Sequence, residues 1–352
     1  MNVEQIAHEI TRIRQSLGDS VLILGHYYQR DEVLAHADAV GDSLELARRA
    51  ADAGRARRIV FCGVHFMAES ADLLAGEGRT VFLPEPFASC PMALMTMPDA
   101  LEKAWKRVQQ VADDWVPLVY VNSTAAVKAF CGAHGGMCCT SANAGRLFRW
   151  ILEGERRRLF FMPDAHLGEN TALDLGLTGD EYAFYDPSQP GGGVSDDTLR
   201  RIRCLIWKGF CIVHIRFTPE TIRAARAAHP EARIIVHPET PAAAARLADA
   251  RGSTSQIIRY VEALPPGSVV YVGTELQLVR RLARLHAARG VTVIPLAESV
   301  CRNMAMTTAE KLLRCLQEWP RECVVRVEDR WRADARQALA RMLEIAPPAA
   351  RP

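Results

Sequence analysis

One pattern of strands and helices recurs three times along the chain, and it restricts the fold more than any other feature of the sequence. Short β-branched or apolar runs alternate with segments of helical periodicity. The runs are VLIL, RIVF, TVFL, LVYV, RLFFM, CLIW, RIIV, VVYV and VTVI. Such alternation is typical of βα units built on parallel strands. The sequence therefore predicts an α/β protein.

Each third of the chain supplies the same four features in the same order. A first strand ends in His or Asn, a Ser/Thr segment opens a helix, a second strand ends in polar residues, and a further strand leads to a cysteine. The strand ends are His26, Asn122 and His237, the helix starts are Ser43, Ser141 and the pair Ser253 and Thr254, and the cysteines are Cys90, Cys211 and Cys301. The middle third also contains LTGDEYAFYDPSQPGGGVSDD, whose composition predicts a surface loop.

We predict three domains from this repeat: residues 1–100, 101–215 and 216–301. Residues 302–352 indicate a helix, a short strand and a last helix, which we expect to complete the first domain. Parallel sheets bind ligands beyond the carboxyl ends of their strands, and helix N-termini bind carboxylate and phosphate. Three sheets that point these edges at one centre would line a closed pocket with the repeated residues.

The three repeated cysteines predict a shared metal centre. Three thiolates leave one coordination position open, and both a zinc ion with bound water and a [4Fe–4S] cluster with one free iron accept such a set. The pattern does not choose between them. The other seven cysteines lie in strand or helix patterns or beside the glycine-rich turn AFCGAHGGMCC, which favours packed thiols.

Three side chains near strand ends are candidates for proton transfer: Glu239, Tyr28 and Tyr120. Glu239 lies two residues after His237, so alternation along an extended segment places both side chains on one side. A histidine and a carboxylate beside a metal suit general acid–base catalysis. The two tyrosines lie close in sequence to the strand-end residues His26 and Asn122.

Charge and hydropathy restrict the partners. The formal net charge is +2, with acidic and basic residues interspersed, which argues against nucleic acid and against a membrane surface. The first residues predict an amphipathic helix with Ile6, Ile10 and Ile13 on one side and lack the features of a signal peptide. No apolar run approaches the ~18 residues of a membrane span. We therefore expect a cytoplasmic protein with reduced thiols.

Twelve features in one order resemble the quinolinate synthase family, from about His26 to the end of the chain. They are GHYYQ, ADAVGDSLELAR, GVHFMAES, the strand-terminal Cys90, YVNSTAAVKA, TSANA, PDAHLGENTA, WKGFCIVH, VHPE, GSTSQII, VGTEL and CRNMA. Their number and order make the resemblance specific. In one departure from the family pattern, Thr240 follows the HPE motif where many members have a cysteine.

The resemblance implies three α/β/α sandwich domains around a pseudo-threefold axis, with the active site at the centre. It implies a [4Fe–4S] cluster held by Cys90, Cys211 and Cys301, whose open iron acts as a Lewis acid. The implied reaction condenses iminoaspartate with dihydroxyacetone phosphate to quinolinate, with loss of phosphate and water, in NAD biosynthesis. An L-aspartate oxidase or dehydrogenase that produces iminoaspartate is the implied functional partner.

The resemblance also implies roles for individual residues. Glu239 and Tyr28 transfer protons, with Tyr120 in support, while His26 and Ser43 hold one carboxylate. The residues that orient the remaining polar groups or the phosphate are Asn122, Ser141, His214, His237, Ser253 and Thr254, of which His214 is carried over from the motif CIVH.

Two other functions remain open at this stage. The first is a zinc-dependent lyase or hydrolase on the same three thiolates. The second is a non-enzymatic iron–sulfur sensor of a dicarboxylate or a phosphate, although the sequence contains no segment typical of an output module.

Overall fold

The computed structural model describes residues 1–154 and 158–345. Its strands are β1 (Val21–His26), β2 (Ala39–Gly41), β3 (Arg58–Cys62), β4 (Thr80–Phe82), β5 (Trp115–Tyr120), β6 (Met137–Cys139), β7 (Arg158–Met162), β8 (Tyr182–Tyr185), β9 (Cys204–Trp207), β10 (Arg233–Val236), β11 (Ala250–Arg251), β12 (Val269–Gly273), β13 (Thr292–Pro295) and β14 (Val324–Val325).

The α-helices alternate with these strands. They are α1 (Val3–Leu17), α2 (Asp31–Leu34), α3 (Ser43–Ala51), α4 (His65–Leu74), α5 (Pro98–Val111), α6 (Ala125–Ala133), α7 (Ala144–Glu153), α8 (Ala165–Asp174), α9 (Asp196–Arg201), α10 (Pro219–Ala228), α11 (Ala242–Ala245), α12 (Thr254–Glu262), α13 (Leu276–Ala287), α14 (Ala309–Glu318) and α15 (Asp329–Ile345).

Three sheets confirm the predicted α/β class. Their strand orders are β14-β4-β3-β1-β2, β6-β5-β7-β9-β8 and β11-β10-β12-β13. In the first two sheets all pairs are parallel except the pair of β14 with β4, and β12 pairs in parallel with β13 in the third. Each of the nine predicted runs coincides with a strand of these sheets, although TVFL, LVYV and VTVI each extend one residue beyond theirs, and the predicted short strand near the C-terminus is β14.

The order of strands repeats as well as their pattern. In each sheet the first strand of the repeat lies between the second and the third, and the strand that leads to the cysteine lies beyond the third. The strand order therefore reverses between the first and the third strand of each repeat, which is the switch point where doubly wound sheets bind ligands. His26 ends β1, while Asn122 and His237 follow β5 and β10, so all three lie at the switch-point end of a first strand.

The described chain divides into two compact units. Unit 1 comprises residues 1–90, 221–235 and 254–328, and unit 2 comprises residues 91–220, 236–253 and the part from 329 onward. In unit 1, the predicted amphipathic helix α1 buries Ile6, Ile10 and Ile13 in a cluster with residues of β1, β3 and α14. No helix in the described ranges is long and apolar enough to cross a membrane.

The segment read as a surface loop in the middle third contains regular structure. Residues 182–185 form β8, which pairs in parallel with β9 at the edge of the second sheet. The prediction of a loop over this stretch was wrong for these residues because Gly and Pro on both sides obscured a strand of four residues. A strand this short is specified by its neighbour rather than by its own pattern.

The C-terminal segment divides between two sheets. β14 joins the first sheet and α14 packs on α1, as expected for a segment that completes the first domain. Helix α15 instead packs against α6 and β6 of the second sheet, and Arg341 donates to the carbonyls of Gly132 and Gly136. That residues 302–352 complete the first domain stays a prediction, and residues 346–352 lie outside the described part.

We expect Gly132→Ala to lower the free energy of unfolding by about 1–3 kcal/mol. A methyl group at Gly132 would lie 1.9 Å from the carbonyl oxygen of Asp334, so α15 would have to move away from α6. Urea denaturation measures the change. Gly145→Ala is the matched control, because a methyl group there has no atom within 4 Å and helix propensity alone favours alanine. Equal stability of the two variants would contradict the close packing of α6 on α15.

Candidate active site

Glu239 is the centre of a buried network in unit 2. Its side chain is only 2% exposed. The Tyr120 hydroxyl donates to Oε1 at 2.5 Å, and His214 Nδ1 lies 2.7 Å from Oε2. Because a carboxylate only accepts hydrogen bonds, His214 carries its proton on Nδ1. The structure thus brings together three predicted residues that lie far apart in the chain.

The electrostatics of this network keep Glu239 ionised. Burial by itself raises the pKa of the carboxyl group. The neighbouring rings of His237 and His214 and the hydrogen bonds from His214 and Tyr120 outweigh burial, and the pKa of Glu239 is lowered well below its usual range. Glu239 is therefore a carboxylate at neutral pH.

The two histidines of the network stack on each other. The ring centroids of His214 and His237 are 4.2 Å apart, with an angle of 14° between the planes. His237 Nδ1 also lies 3.9 Å from Glu239 Oε1. The turn after β10 and the segment after Cys211 thus present two imidazoles and one carboxylate on one buried surface.

Asn170 on α8 supports this turn, and the sequence analysis did not single it out. Its amide Nδ2 donates to the carbonyl oxygens of Pro238 and Thr240 at 2.8 and 2.7 Å. Arg251 donates to its Oδ1 at 2.9 Å. The side chain is 1% exposed, so the position of Glu239 depends on a buried amide whose only signal in the sequence was its place in the motif PDAHLGENTA.

One group of donors in unit 2 is suited to a metal. Single ligand atoms of Cys211, His214 and Glu239 all lie within 4.8 Å of one another. Thiolate, imidazole and carboxylate are all ligands of transition metals. This donor set fits a metal centre that includes Cys211.

Burial separates the ten cysteines into two classes. All of them lie in described ranges, and the partly exposed ones are Cys90, Cys211 and Cys301, while the other seven are buried. Burial raises the pKa of the Cys62 and Cys138 thiols to about 12, which makes them protonated and poor metal ligands at neutral pH. The three partly exposed cysteines are those that the repeat selected.

The loops that carry these three cysteines also share a local structure. Each cysteine follows the last parallel strand of its repeat: Cys90 follows β4, Cys211 follows β9 and Cys301 follows β13. A short 3-10 helix begins two or three residues after each cysteine, and these helices are Met92–Leu94, His214–Arg216 and Met304–Met306. The equivalence inferred from sequence therefore extends to the backbone.

A second network in unit 1 surrounds Tyr28. Its hydroxyl lies 2.8 Å from Thr274 Oγ1 and accepts from Thr254 Oγ1 at 3.2 Å. The backbone amide of Tyr28 donates to His26 Nδ1 at 3.1 Å, and the two rings meet edge to face with centroids 4.7 Å apart. The structure thus joins the predicted residues His26, Tyr28 and Thr254. It adds the fully buried Thr274, which the sequence analysis passed over at the end of β12.

The predicted helix starts occupy different positions. Ser43 and Thr254 are the first residues of α3 and α12, and Ser253 directly precedes Thr254. Ser141 lies in the turn before α7, which begins at Ala144. The residue that caps α3 is Asp42.

Asp42 also connects the starts of two helices in unit 1. Its carboxylate accepts from the amides of Leu44 and Glu45 at the start of α3 and from the Ser255 hydroxyl at 2.8 Å. Tyr27 makes a side-chain hydrogen bond with Glu45. Burial, together with the carboxylates of Glu45 and Asp42, raises the pKa of the Tyr27 phenol. Tyr27, to which the sequence assigned no role, therefore helps to hold the start of α3.

Asn122 is the remaining strand-end residue, two positions after the end of β5. Its side-chain oxygen Oδ1 is buried and has no hydrogen-bond partner among the residues that the structure describes. A buried acceptor without a partner is costly. Asn122 is therefore suited to accept from a bound ligand or a water molecule.

Comparisons with known proteins agree with these features. The family model of NadA, quinolinate synthetase A protein, matches residues 8–344. A protein of Corynebacterium glutamicum named quinolinate synthase is 42% identical over 351 residues, which cover 98% of this chain and 89% of the relative. Proteins of the same name from Acidobacterium capsulatum and Bacillus cereus are 43% and 41% identical and cover 96% and 98% of the chain, or 92% and 94% of the relatives. The chain belongs to the quinolinate synthetase A protein family.

Proposed function

We propose that this enzyme condenses iminoaspartate with dihydroxyacetone phosphate to form quinolinate in NAD biosynthesis. The overall reaction balances with loss of phosphate and water only, so it consumes no oxidant and no reductant. Its steps are proton transfers, carbon–carbon and carbon–nitrogen bond formation and eliminations. The observation that supports this proposal most directly is the ionised Glu239 beside Cys211 and between Tyr120 and His214.

Cys90, Cys211 and Cys301 are the proposed ligands of one [4Fe–4S] cluster. They are the three partly exposed cysteines of the chain and occupy equivalent loops. Three thiolates leave one iron open, and the bound cluster would supply Lewis acidity toward a substrate oxygen or nitrogen. We assign the remaining functions of the site, proton transfer and substrate binding, to protein side chains.

Proton transfer is assigned to Glu239 and Tyr28. The carboxylate of Glu239 accepts a proton from substrate, and Tyr120 and His214 hold its two oxygens in place. Tyr28 has its phenol oxygen held by Thr274 and Thr254. A phenol held in this way exchanges a proton with substrate without having to be reoriented first.

Substrate binding is assigned to the polar residues at the switch points and helix starts. His26 and Ser43 bind one carboxylate of iminoaspartate. The remaining polar groups and the phosphate are oriented by Asn122, Ser141, His214, His237, Ser253 and Thr254. Imidazoles, hydroxyls and helix N-termini are groups that bind carboxylate and phosphate oxygens.

The reaction needs a supply of iminoaspartate, which an L-aspartate oxidase or dehydrogenase produces from aspartate. We propose such an enzyme as the functional partner, and we propose that both act in the cytoplasm, where reducing conditions preserve thiolate ligands. The proposed function involves neither nucleic acid nor a membrane surface.

A zinc-dependent enzyme is the second candidate, because the cysteine, histidine and glutamate donors in unit 2 suit zinc as well as iron. Anaerobic purification followed by iron, sulfide and zinc analysis, together with a quinolinate assay, separates the two candidates. We expect roughly four irons and four sulfides per chain, as in a [4Fe–4S] cluster, and formation of quinolinate. A colourless zinc protein that turns over would refute the cluster. A brown protein that forms no quinolinate would refute the reaction.

A further inference from the structure

One backbone contact recurs beside each of the three partly exposed cysteines. A helix follows the third strand of each repeat. Its first backbone amide donates to the carbonyl oxygen of the residue two positions before the cysteine. These hydrogen bonds run from His65 to Ala88 at 2.8 Å, from Ala165 to Gly209 at 2.8 Å and from Leu276 to Ser299 at 2.9 Å. In every repeat, therefore, the start of that helix holds the cysteine loop by a backbone hydrogen bond.

The accepting positions are small and buried in all three loops. Ala88, Gly209 and Ser299 are almost or fully inaccessible to solvent. At Gly209 a methyl group would lie 2.5 Å from the carbonyl oxygen of Pro163. The backbone of the cysteine loop thus lies very close to the helix start at these positions. The cysteine lies two residues further along the chain.

The residue that precedes each helix differs among the repeats. It is Val64 before α4, Asp164 before α8 and Glu275 before α13. Asp164 accepts from the Leu167 amide at 2.6 Å and Glu275 accepts from the Gln277 amide at 2.7 Å, so both carboxylates cap their helices. Valine has no acceptor and makes no side-chain cap.

Both carboxylates also reach the backbone of the cysteine itself. The Cys301 amide donates to Glu275 Oε1 at 3.3 Å, and the Cys211 amide lies beside the carboxyl group of Asp164, close enough to offset part of the rise in pKa that burial causes there. Asp164 and Glu275 are fully buried. In two repeats, one carboxyl group thus lies between a helix N-terminus and a cysteine amide.

We infer that Asp164 and Glu275 are positioning residues that hold the loops of Cys211 and Cys301 in a form ready to bind metal. This inference rests on the proposed role of the cysteines as cluster ligands. The equivalent residue of the first repeat is Val64, whose side chain has no acceptor and makes no cap.

The test compares three substitutions of Glu275 in the full-length protein with its cluster removed anaerobically. Glu275→Ala removes both the cap and the reach to Cys301. Glu275→Ser retains a preferred N-cap acceptor but is too short to reach the Cys301 amide. Glu275→Gln retains the original length, but its single oxygen can accept from only one of the two amides of Gln277 and Cys301, so one of the two hydrogen bonds is lost. The rate at which a maleimide alkylates each cysteine is followed by mass spectrometry, with Cys90 as the internal reference.

We expect Cys301 to be alkylated roughly fivefold faster in Glu275→Ala and in Glu275→Ser than in the original protein, the change expected for loss of one intramolecular hydrogen bond of about 1 kcal/mol. Glu275→Gln should give a rate between those of the original protein and Glu275→Ala, and the rate at Cys90 should not change. After cluster reconstitution, the alanine and serine variants should lose iron to a chelator faster by a similar factor.

An unchanged rate at Cys301 in Glu275→Ser, or a faster rate in Glu275→Gln than in Glu275→Ala, would overturn the inference. The serine variant keeps the helix cap, so the test does not depend on the alanine variant folding. Asp164→Ala and Asp164→Asn apply the same comparison to Cys211. A chain that binds no iron and sulfide at all would refute the proposed function, whereas the alkylation rates would still test the role of Glu275.

Discussion

Replacement of Cys90, Cys211 or Cys301 by alanine is expected to abolish retention of the cluster. Each variant leaves two thiolates, and the remaining side chains near Cys211 offer nitrogen and oxygen donors rather than sulfur. Loss of a thiolate ligand removes a bond that the cluster needs to remain in the protein. Iron and sulfide analysis after anaerobic reconstitution measures the effect, and we expect values near zero for all three variants.

Cys315→Ala is the matched control for this experiment. Cys315 is 1% exposed and packs in the apolar cluster beneath α1, and burial raises the pKa of its thiol. We expect full iron and sulfide content in this variant. A full complement of cluster in any of the first three variants would remove that cysteine from the ligand set.

Glu239→Gln is expected to retain the cluster and to lose about 10²–10⁴-fold in kcat, the range typical of general acid–base groups. Glutamine keeps the size of the side chain and its hydrogen bond from Tyr120, but an amide does not accept a proton at neutral pH. Steady-state formation of quinolinate, alongside iron analysis, separates loss of catalysis from loss of the cluster. A rate within a factor of a few of the original would remove Glu239 from the mechanism.

Glu169→Gln tests whether such an effect is specific to Glu239. Glu169 also lies in unit 2 and also accepts from a tyrosine, since the Tyr182 hydroxyl donates to its Oε1 at 3.1 Å. It lies on α8 and belongs to neither network of the candidate site. We expect a near-original rate, so a loss comparable to that of Glu239→Gln would indicate a structural rather than a chemical origin.

Three of the four strands that the sequence did not predict share one property. β2, β6 and β11 have three, three and two residues, and each is the second strand of its repeat at the edge of its sheet. A run this short contains no alternation from which to infer a strand. These segments are extended because a neighbouring strand offers hydrogen bonds to them, and that neighbour is defined only in the folded chain.

At helix starts, too, the sequence predicts the approximate position and the folded structure decides the exact residue. The sequence marked Ser43 and Ser141 as helix starts. Helix α3 does begin at Ser43, with Asp42 as its cap, whereas α7 begins three residues after Ser141. Several residues in GDS and TSANA are good caps, so composition locates the start of the helix only to within a few positions. The backbone conformation selects one of them.

Sequence alone determined the α/β class, the threefold repeat and the selection of Cys90, Cys211 and Cys301, because local periodicity and equivalent positions are properties of the chain itself. The pseudo-threefold arrangement and the domain boundaries stay predictions. Tertiary structure decided the docking of α15 on α6 and the partners of Glu239, which lie 119 and 25 residues away. It also decided the roles of Asn170, Thr274, Asp164 and Glu275. Such contacts depend on how strands are ordered in a sheet, and no local pattern contains that order.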